Sequence, residues 1–450
     1  SAVTNGSISA LGNTDTGDND TIYGGGMNDT FTFSGTAGLE DGDIIDGNGG
    51  TDTIALNADA AVTVTIDYDD VTEVEVVKVV TVDGVTGGTT TVVLDDNDAS
   101  ALLDPAAMTF DGTGATAHSI VFNNAAMDSA KTVLTITGGT KVDTLKGSQG
   151  NDIISGGGTT TGDSLYGLSG NDSITGNAGN DSISGGAGND IMLSGAAGND
   201  SIDGGTGNDT IDGGSGADII DGGAGFDNIT TGSGLDTLLY DAATDSTGAT
   251  RDVITDFTQS VLNATTGAQV SAGDNIRITA TLGNDVNVFT LSDQGNVDSA
   301  GLANSVLSGV AGAFVFSKDI NTLYLDYDGN GSINGNDFQF TVTGASDFHD
   351  DDVDLYLTVG TGGDTLTAGD GDDSITGNAG ADRLYGDGGN DTIKGSGNTA
   401  DILAGGAGTD VITGTNGNDT IWGDLAAADD TIGGGNDIIA TGDGNNDVNA

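Results

Sequence analysis

The residues best placed to do chemistry are aspartates that return at a nearly constant interval. In the longest run they are Asp143, Asp152, Asp163, Asp172, Asp181, Asp190, Asp200, Asp209, Asp218, Asp227 and Asp236, with gaps of 9, 11, 9, 9, 9, 10, 9, 9, 9 and 9 residues. Each closes a turn of the general form Gly-Gly-X-Gly-Asn-Asp-X-Ile-X, as in Gly185-Gly186-Ala187-Gly188-Asn189-Asp190. Glycine tolerates positive φ, so such a turn can bend sharply and aim its carbonyls inward beside the carboxylate. That is an oxygen-only donor set suited to a hard divalent cation. Calcium fits better than magnesium, which demands stricter octahedral geometry and keeps its waters. The chain has no Cys and only two His, which argues against zinc and copper.

Two shorter series repeat the pattern. Asp20, Asp29, Asp43 and Asp52 lie near the start; Asp364, Asp373, Asp382, Asp391, Asp401, Asp410, Asp419, Asp430 and Asp437 lie near the end. All are candidate metal ligands. The carbonyls of Gly185, Gly188, Gly204, Gly207, Gly213, Gly216, Gly222 and Gly225 are candidates in the regular run. Asp143 follows Lys141 and Val142 where Gly and Asn are usual, and Asp163, Asp401 and Asp430 follow insertions. These four are expected to bind less well, so that Asp209→Ala costs more calcium affinity than Asp163→Ala. A separate stretch, 326–337, has oxygen-bearing residues at Asp326, Asp328, Asn330 and Asp337, with Gly331 at its sixth place and Ile333 at its eighth. It is similar to an EF-hand loop, although its last position is Asp rather than Glu and its flanks read as strands.

A nine-residue period implies one small unit stacked on copies of itself. Three residues between turns allow a brief strand with one large apolar residue facing in, here Ile174, Ile183, Ile202, Ile211, Ile220, Ile229 and Leu238. Two nonapeptides would make a coil of about 18 residues, with strands pairing at about 4.8 Å. Carboxylates so stacked, about 5 Å apart, repel by roughly 0.8 kcal/mol in water and several-fold more when shielded from it. A divalent cation between turns reverses the sign of that term.

The predicted class is all-β: parallel β-roll blocks alternating with β-sandwich-like segments. The expected organisation is a short repeat block at 1–52, a Val/Thr-rich sandwich-like unit at 53–137, the main roll at 138–239, a β-rich unit with the EF-hand-like loop at 240–358, and a closing roll with its tail at 359–450. Val74, Val76, Val77, Val79 and Val80 suggest a strand buried on both faces.

Composition narrows the function. There are 69 acidic against 9 basic residues, a formal charge of -60, with 80 Gly and one Pro. Such a field repels phosphate backbones and anionic bilayers, which excludes nucleic acid as a partner. No run of 18 apolar residues exists, so membrane insertion through a helix is not expected. An acidic chain with few aromatics favours disorder without cations. Catalysis finds little support: His118 and His349 lack a plausible partner, pairs such as Asp69 and Asp70 are expected by chance among so many acids, and Tyr385 and Trp422 read as outer-surface residues. The chain is not expected to be an enzyme.

The repeat resembles the RTX (repeats-in-toxin) calcium-binding family, named for the same G-G-x-G-x-D-x-U-x nonapeptide. The match is close at 185–193, 204–212, 213–221, 222–230 and 405–413. The resemblance implies a parallel β-roll, many bound Ca2+ ions, type I secretion and folding in external calcium, at affinities of about 10⁻⁴–10⁻³ M. Asp252 to Phe257 and the segments after it are also similar to the region following the roll in serralysin-type proteases, but no His-Glu-x-x-His is present. The functional expectation is an extracellular structural protein that self-associates into an S-layer-type array at the bacterial cell surface, with a surface polysaccharide or protein as candidate anchor. The alternatives are a segment of a large RTX adhesin or the non-catalytic calcium-binding module of a secreted enzyme.

Overall fold

The computed structural model describes 21–34, 44–58, 62–67, 71–72, 74–81, 89–95, 107–115, 119–123, 133–158, 160–240, 245, 252–256, the strands lying between 261 and 342, 353–358, 363–369, 371–397, 399–423, 437–441, 443 and 447–449. All regular structure among these residues is strand. No helix among them is long and apolar enough to cross a membrane. Asp20, Asp43, Asp69, Asp70, His118, Asp326, Asp328, Asn330, Asp337, His349 and Asp430 lie outside the described residues.

The chain divides into two units, Ser1–Gly223 and Ala224–Ala450. In the first, short strands stack in parallel in two long ladders, the arrangement of a β-solenoid. One ladder runs from Val62–Asp67 through Thr89–Asp95, Ser119–Asn123, Thr144–Lys146, Ser164–Ser169, Ser182–Ala187 and Ser201–Thr206 to Ile219–Asp221. The other runs from Thr30–Ser34 through Thr53–Ala58, Val76–Thr81, Ala107–Gly114, Val133–Thr137, Ile153–Ser155 and Ser173–Ala178 to Met192–Ala197 and Thr210–Ser215. Consecutive strands alternate between the ladders, so each coil contributes one rung to each.

The inward side chains explain why the ladders hold register. Ile174, Ile183, Ile202, Ile211, Ile220, Ile229 and Leu238 are each at most 2% exposed, as the period requires. In the roll, a strand such as Ser182–Ala187 buries only Ile183 and Gly185, because its second inward position is already the first glycine of the next turn. The strand Val133–Thr137 instead buries Leu134 and Ile136.

The 53–137 segment corrects the sandwich-like expectation. Its described strands pair in parallel, within the same ladders as the roll. They differ from the roll only in coil length and core: Val92, Met108, Phe110, Ile120 and Phe122 fill the interior, with Phe110 and Phe122 rings 4.4 Å apart. Alternating β-branched residues are shared by sandwich and solenoid strands, so their pattern could not separate the two. The strand Val76–Thr81 is also not buried on both faces. Val77 and Val79 are buried while Val76 and Lys78 stay partly exposed, and Lys78 pairs with Asp111 at 2.7 Å on the outside.

In the second unit, Thr237–Tyr240, Asn275–Thr281, Val353–Thr358, Ser374–Thr376, Thr392–Lys394, Val411–Thr413 and Ile438–Ala440 form a parallel ladder. Thr365–Gly369, Arg383–Gly388, Ile402–Ala407 and Thr420–Trp422 belong to another. Among the described residues, sandwich-like antiparallel pairing is confined to Val261–Leu262 with Gln269–Ser271 and to the meander Phe314–Ser317, Thr322–Leu325, Phe338–Val342. Leu325 faces Phe338 across the last pair, so the EF-hand-like stretch joins antiparallel strands and not helices. Tyr385 and Trp422 stand half-exposed, as expected, on either side of Ala404.

One turn position carries strain. The residue four before the aspartate takes positive φ in many of the turns: Gly186 at 108°, Gly205 at 99°, but also Leu168 at 80° and Ala196 at 73°. A side chain there costs about 1–2 kcal/mol. Ala196→Gly should therefore raise stability in saturating calcium by up to about 1 kcal/mol after the added chain entropy of glycine, and the melting temperature with it. Ile211→Ala should lower stability by about 2–5 kcal/mol, whereas Ile219→Ser, at a position 42% exposed, should shift it by less than about 0.5 kcal/mol. Thermal unfolding of the three variants decides.

Candidate metal centres

The aspartates of the period do not point to solvent. Asp163, Asp172, Asp181, Asp190, Asp200, Asp209 and Asp218 are each at most 2% exposed, as are Asp364, Asp373, Asp382, Asp391, Asp401, Asp410 and Asp419. They form columns. The backbone N–H of each donates to Oδ1 of the aspartate one coil further on: Asp143 to Asp163 at 2.8 Å, Asp163 to Asp181 at 2.6 Å, Asp181 to Asp200 at 2.7 Å and Asp200 to Asp218 at 2.8 Å. A second column links Asp152, Asp172, Asp190 and Asp209 at 2.7–2.8 Å. In the second unit the columns are Asp364, Asp382, Asp401, Asp419 and Asp373, Asp391, Asp410, Asp437. The bond from Asp172 to Asp190 spans 18 residues, the expected two nonapeptides.

Oδ1 is thus committed to the backbone, and Oδ2 is the oxygen left for a ligand. In Asp163, Asp172, Asp181, Asp190, Asp200, Asp382, Asp391 and Asp401 this atom is buried without a hydrogen-bond partner. A buried carboxylate oxygen in that state is costly unless a cation meets it. The surrounding donors are of one kind. A Cβ placed on Gly185 would collide with Asp190 Oδ2 and sit 2.7 Å from the carbonyl oxygen of Gly204, one coil on. The same holds at Gly195 with Asp200 and Gly213, and at Gly204 with Asp209 and Gly222. The first glycine is therefore demanded by space, because carboxylate and carbonyl converge there. Gly188, Gly207, Gly216 and Gly225 are demanded by φ of 137–158°. No group of three or more His, Cys, Asp or Glu side chains that could hold a metal is found among the described residues. The ligands must then be mostly backbone carbonyls with one or two carboxylate oxygens, which suits calcium. These residues fit the ion.

Three carboxylates differ. Oδ2 of Asp143 accepts the Gly139 N–H at 2.6 Å, that of Asp152 the Ser148 N–H at 2.5 Å, and that of Asp29 the Gly25 N–H at 2.6 Å. Their turns close on their own aspartate. Asp163 and Asp401, expected to bind less well, nonetheless stand in the columns with Oδ2 buried.

Sequence reading missed two members. Asp252, fully buried, accepts the Asp227 N–H at 2.9 Å although the Gly-Gly-X-Gly-Asn pattern does not precede it in the sequence. Glu75 accepts the Asp52 N–H through Oε2 at 2.7 Å and so takes the aspartate place above Asp52 and Asp29. The readable signal was an acid two residues before an inward apolar one, Asp252 before Ile254 and Glu75 before Val77. The asparagine before each aspartate has its own role, also missed. Asn171 Oδ1 accepts the Asn189 N–H at 2.8 Å, and Asn189 Oδ1 the Asn208 N–H at 2.7 Å, an outer column running opposite to the carboxylates.

Burial raises the carboxyl pKa values, and neighbouring carboxylates raise several further. Asp172 is pushed up to about 8 by burial with Asp152 and Asp190 beside it, Asp391 to about 8, and Asp163 to about 7. The amide bonds to Oδ1 oppose this without cancelling it. Groups raised above their unfolded value near 3.8 bind more protons folded than unfolded. Without cations, stability is then greatest at low pH and is lost as pH rises through about 6–8. In EDTA, the circular-dichroism β signal should grow as pH falls from 8 to 5; a flat signal would refute this. Gly185→Ala should lower calcium affinity and melting temperature together, whereas the same change in the open space at Gly26 should alter neither.

Comparison with known proteins agrees with this geometry. No curated protein matched the chain. The family profile described as the RTX calcium-binding nonapeptide repeat matches residues 14–35, 135–158, 157–192, 194–229, 212–246, 358–393 and 396–427. These intervals contain the carboxylate columns from Asp143 to Asp218 in the first unit and from Asp364 to Asp419 in the second, so the repeat blocks of this chain belong to the RTX calcium-binding family.

Proposed function

We propose that this chain is a secreted structural protein that winds its coils on binding external calcium and then assembles into an S-layer-type array on a bacterial surface. The observation that carries the reading is the column of buried carboxylates with Oδ2 aimed into the turn. Such columns need millimolar-range cation to persist, which the extracellular medium supplies and the cytosol does not. Folding and location are thereby coupled.

Assembly is supported by the outer surface. Solenoid rungs repeat at a fixed spacing, and some outward positions hold large apolar residues: Ile191 is 66% exposed, Met192 46% and Ile219 42%. In the second unit Val411 and Ile438, 40% and 63% exposed, are register partners on adjacent strands. Calcium also screens the mutual repulsion of subunits whose formal charge is -60. Electron microscopy and light scattering of the full chain, with and without calcium, test the proposal. Ordered sheets are expected on adding calcium. Monomers at every calcium concentration would contradict it and favour a spacer rod within a longer adhesin.

A further inference from the structure

The two inserted turns that precede Asp163 and Asp401 share a feature absent from the regular repeats. Two residues before a regular aspartate stands a glycine at positive φ, such as Gly179 at 139° or Gly188 at 139°. Its place in the inserted turns is taken by Thr161 and Thr399, neither of which has positive φ. The equivalence is structural. A Cβ on Gly188 would collide with the Gly170 carbonyl one coil before, and in the same way a Cβ on Gly179 would collide with that of Thr161, and on Gly417 with that of Thr399. Positive φ falls further upstream in these turns, at Gly157 and Gly158 with 87° and 48°, and at Gly397 with 82°, the last four before its aspartate as Gly186 is in a regular turn. The added residues thus free this position to carry a side chain.

That side chain is a hydroxyl in both turns, and in both it lies beside the carboxylate. Thr161 Oγ1 is buried without a hydrogen-bond partner, and so is Asp163 Oδ2 on a residue 2% exposed. A Cβ on Gly158 would lie 3.0 Å from the first and 4.0 Å from the second. Thr399 Oγ1 approaches Asp401 Oδ1 at 3.4 Å and the Ser396 carbonyl at 3.3 Å, both long, while Asp401 Oδ2 is buried without a partner. One hydroxyl hydrogen cannot serve both acceptors. A neutral hydroxyl beside an unsatisfied carboxylate oxygen is what a hard divalent cation recruits to complete an oxygen shell.

We propose that Thr161 and Thr399 are cation ligands through Oγ1, so that the inserted turns form a second class of calcium site, with a side-chain hydroxyl beside the carboxylate. The insertions then diversify the column and do not interrupt it.

A crystal structure of the full chain grown at limiting calcium, with anomalous scattering to locate the ions, tests this. The expected result is an ion within about 2.3–2.6 Å of both Thr161 Oγ1 and Asp163 Oδ2, and its counterpart at Thr399 and Asp401. Thr161→Val should lose the ion at Asp163, Thr161→Ser should retain it, and the ions at Asp172 and Asp190 should persist in both as internal controls. Thr399→Val supplies an independent second site. An ion at Asp163 with the hydroxyl outside coordination distance, or full occupancy in Thr161→Val, would overturn the proposal. So would an empty inserted turn in the wild-type chain whose regular turns are filled. Ions absent from all turns would instead overturn the calcium assignment of the whole roll.

Discussion

The structure depends on one constraint: charges stacked at the spacing of a parallel sheet. Hydrogen bonding fixes adjacent coils about 4.8 Å apart, and the turn brings each aspartate into line with the next. Half of each carboxylate is then used well. Oδ1 accepts the amide of the preceding coil, which ties turn to turn along the column. The other half is buried without a hydrogen-bond partner, on the side where a carbonyl of the next coil approaches. Protein groups cannot neutralise it, because the chain has 9 basic residues against 69 acidic ones. A cation can, and protons can in its absence.

The coils at 89–137 show the alternative solution. They use the same two ladders and the same parallel register. Their strands Ala107–Gly114, Ser119–Asn123 and Val133–Thr137 each bury two apolar side chains, and aromatic rings meet across the coil. The roll cannot do this, because its second inward position must be a glycine that leaves room for the carboxylate and carbonyl. Apolar burial and ion binding are therefore competing uses of one position. A solenoid coil is held by hydrophobic contact or by cations according to whether that position is Ile136 or Gly185.

Much of this was legible in the sequence, for physical reasons. The nine-residue period exposed the coil, the glycines exposed the turn, and the inward Ile174, Ile183 and Ile202 followed from a strand too short to bury more. What was not legible shared its local pattern with something else. Alternating valine and threonine at 53–137 suits any half-buried strand, so parallel stacking against sandwich pairing could not be read. Asp252 and Glu75 entered the columns without a glycine turn to announce them, since only their place before an inward apolar residue matters. The inserted turns at Asp163 and Asp401 break the aspartate spacing but not the column position, which spacing alone could not show. The self-closed carboxylates of Asp29, Asp143 and Asp152 depend on a backbone rotation at the second turn residue that Gly or Ser permits without requiring it.

Amide hydrogen exchange, resolved at single residues, tests the central claim most directly. The amides of Asp163, Asp172 and Asp181 each donate to a carboxylate one coil away, so they report whether the columns are intact. In calcium at neutral pH they should be as protected as those of Phe110 and Phe122 in the apolar coils. After chelation they should lose that protection together, while Phe110 and Phe122 keep more of theirs. Undiminished protection of the three aspartate amides in excess chelator would contradict the claim, because coil contacts alone would then hold the roll without bound cations.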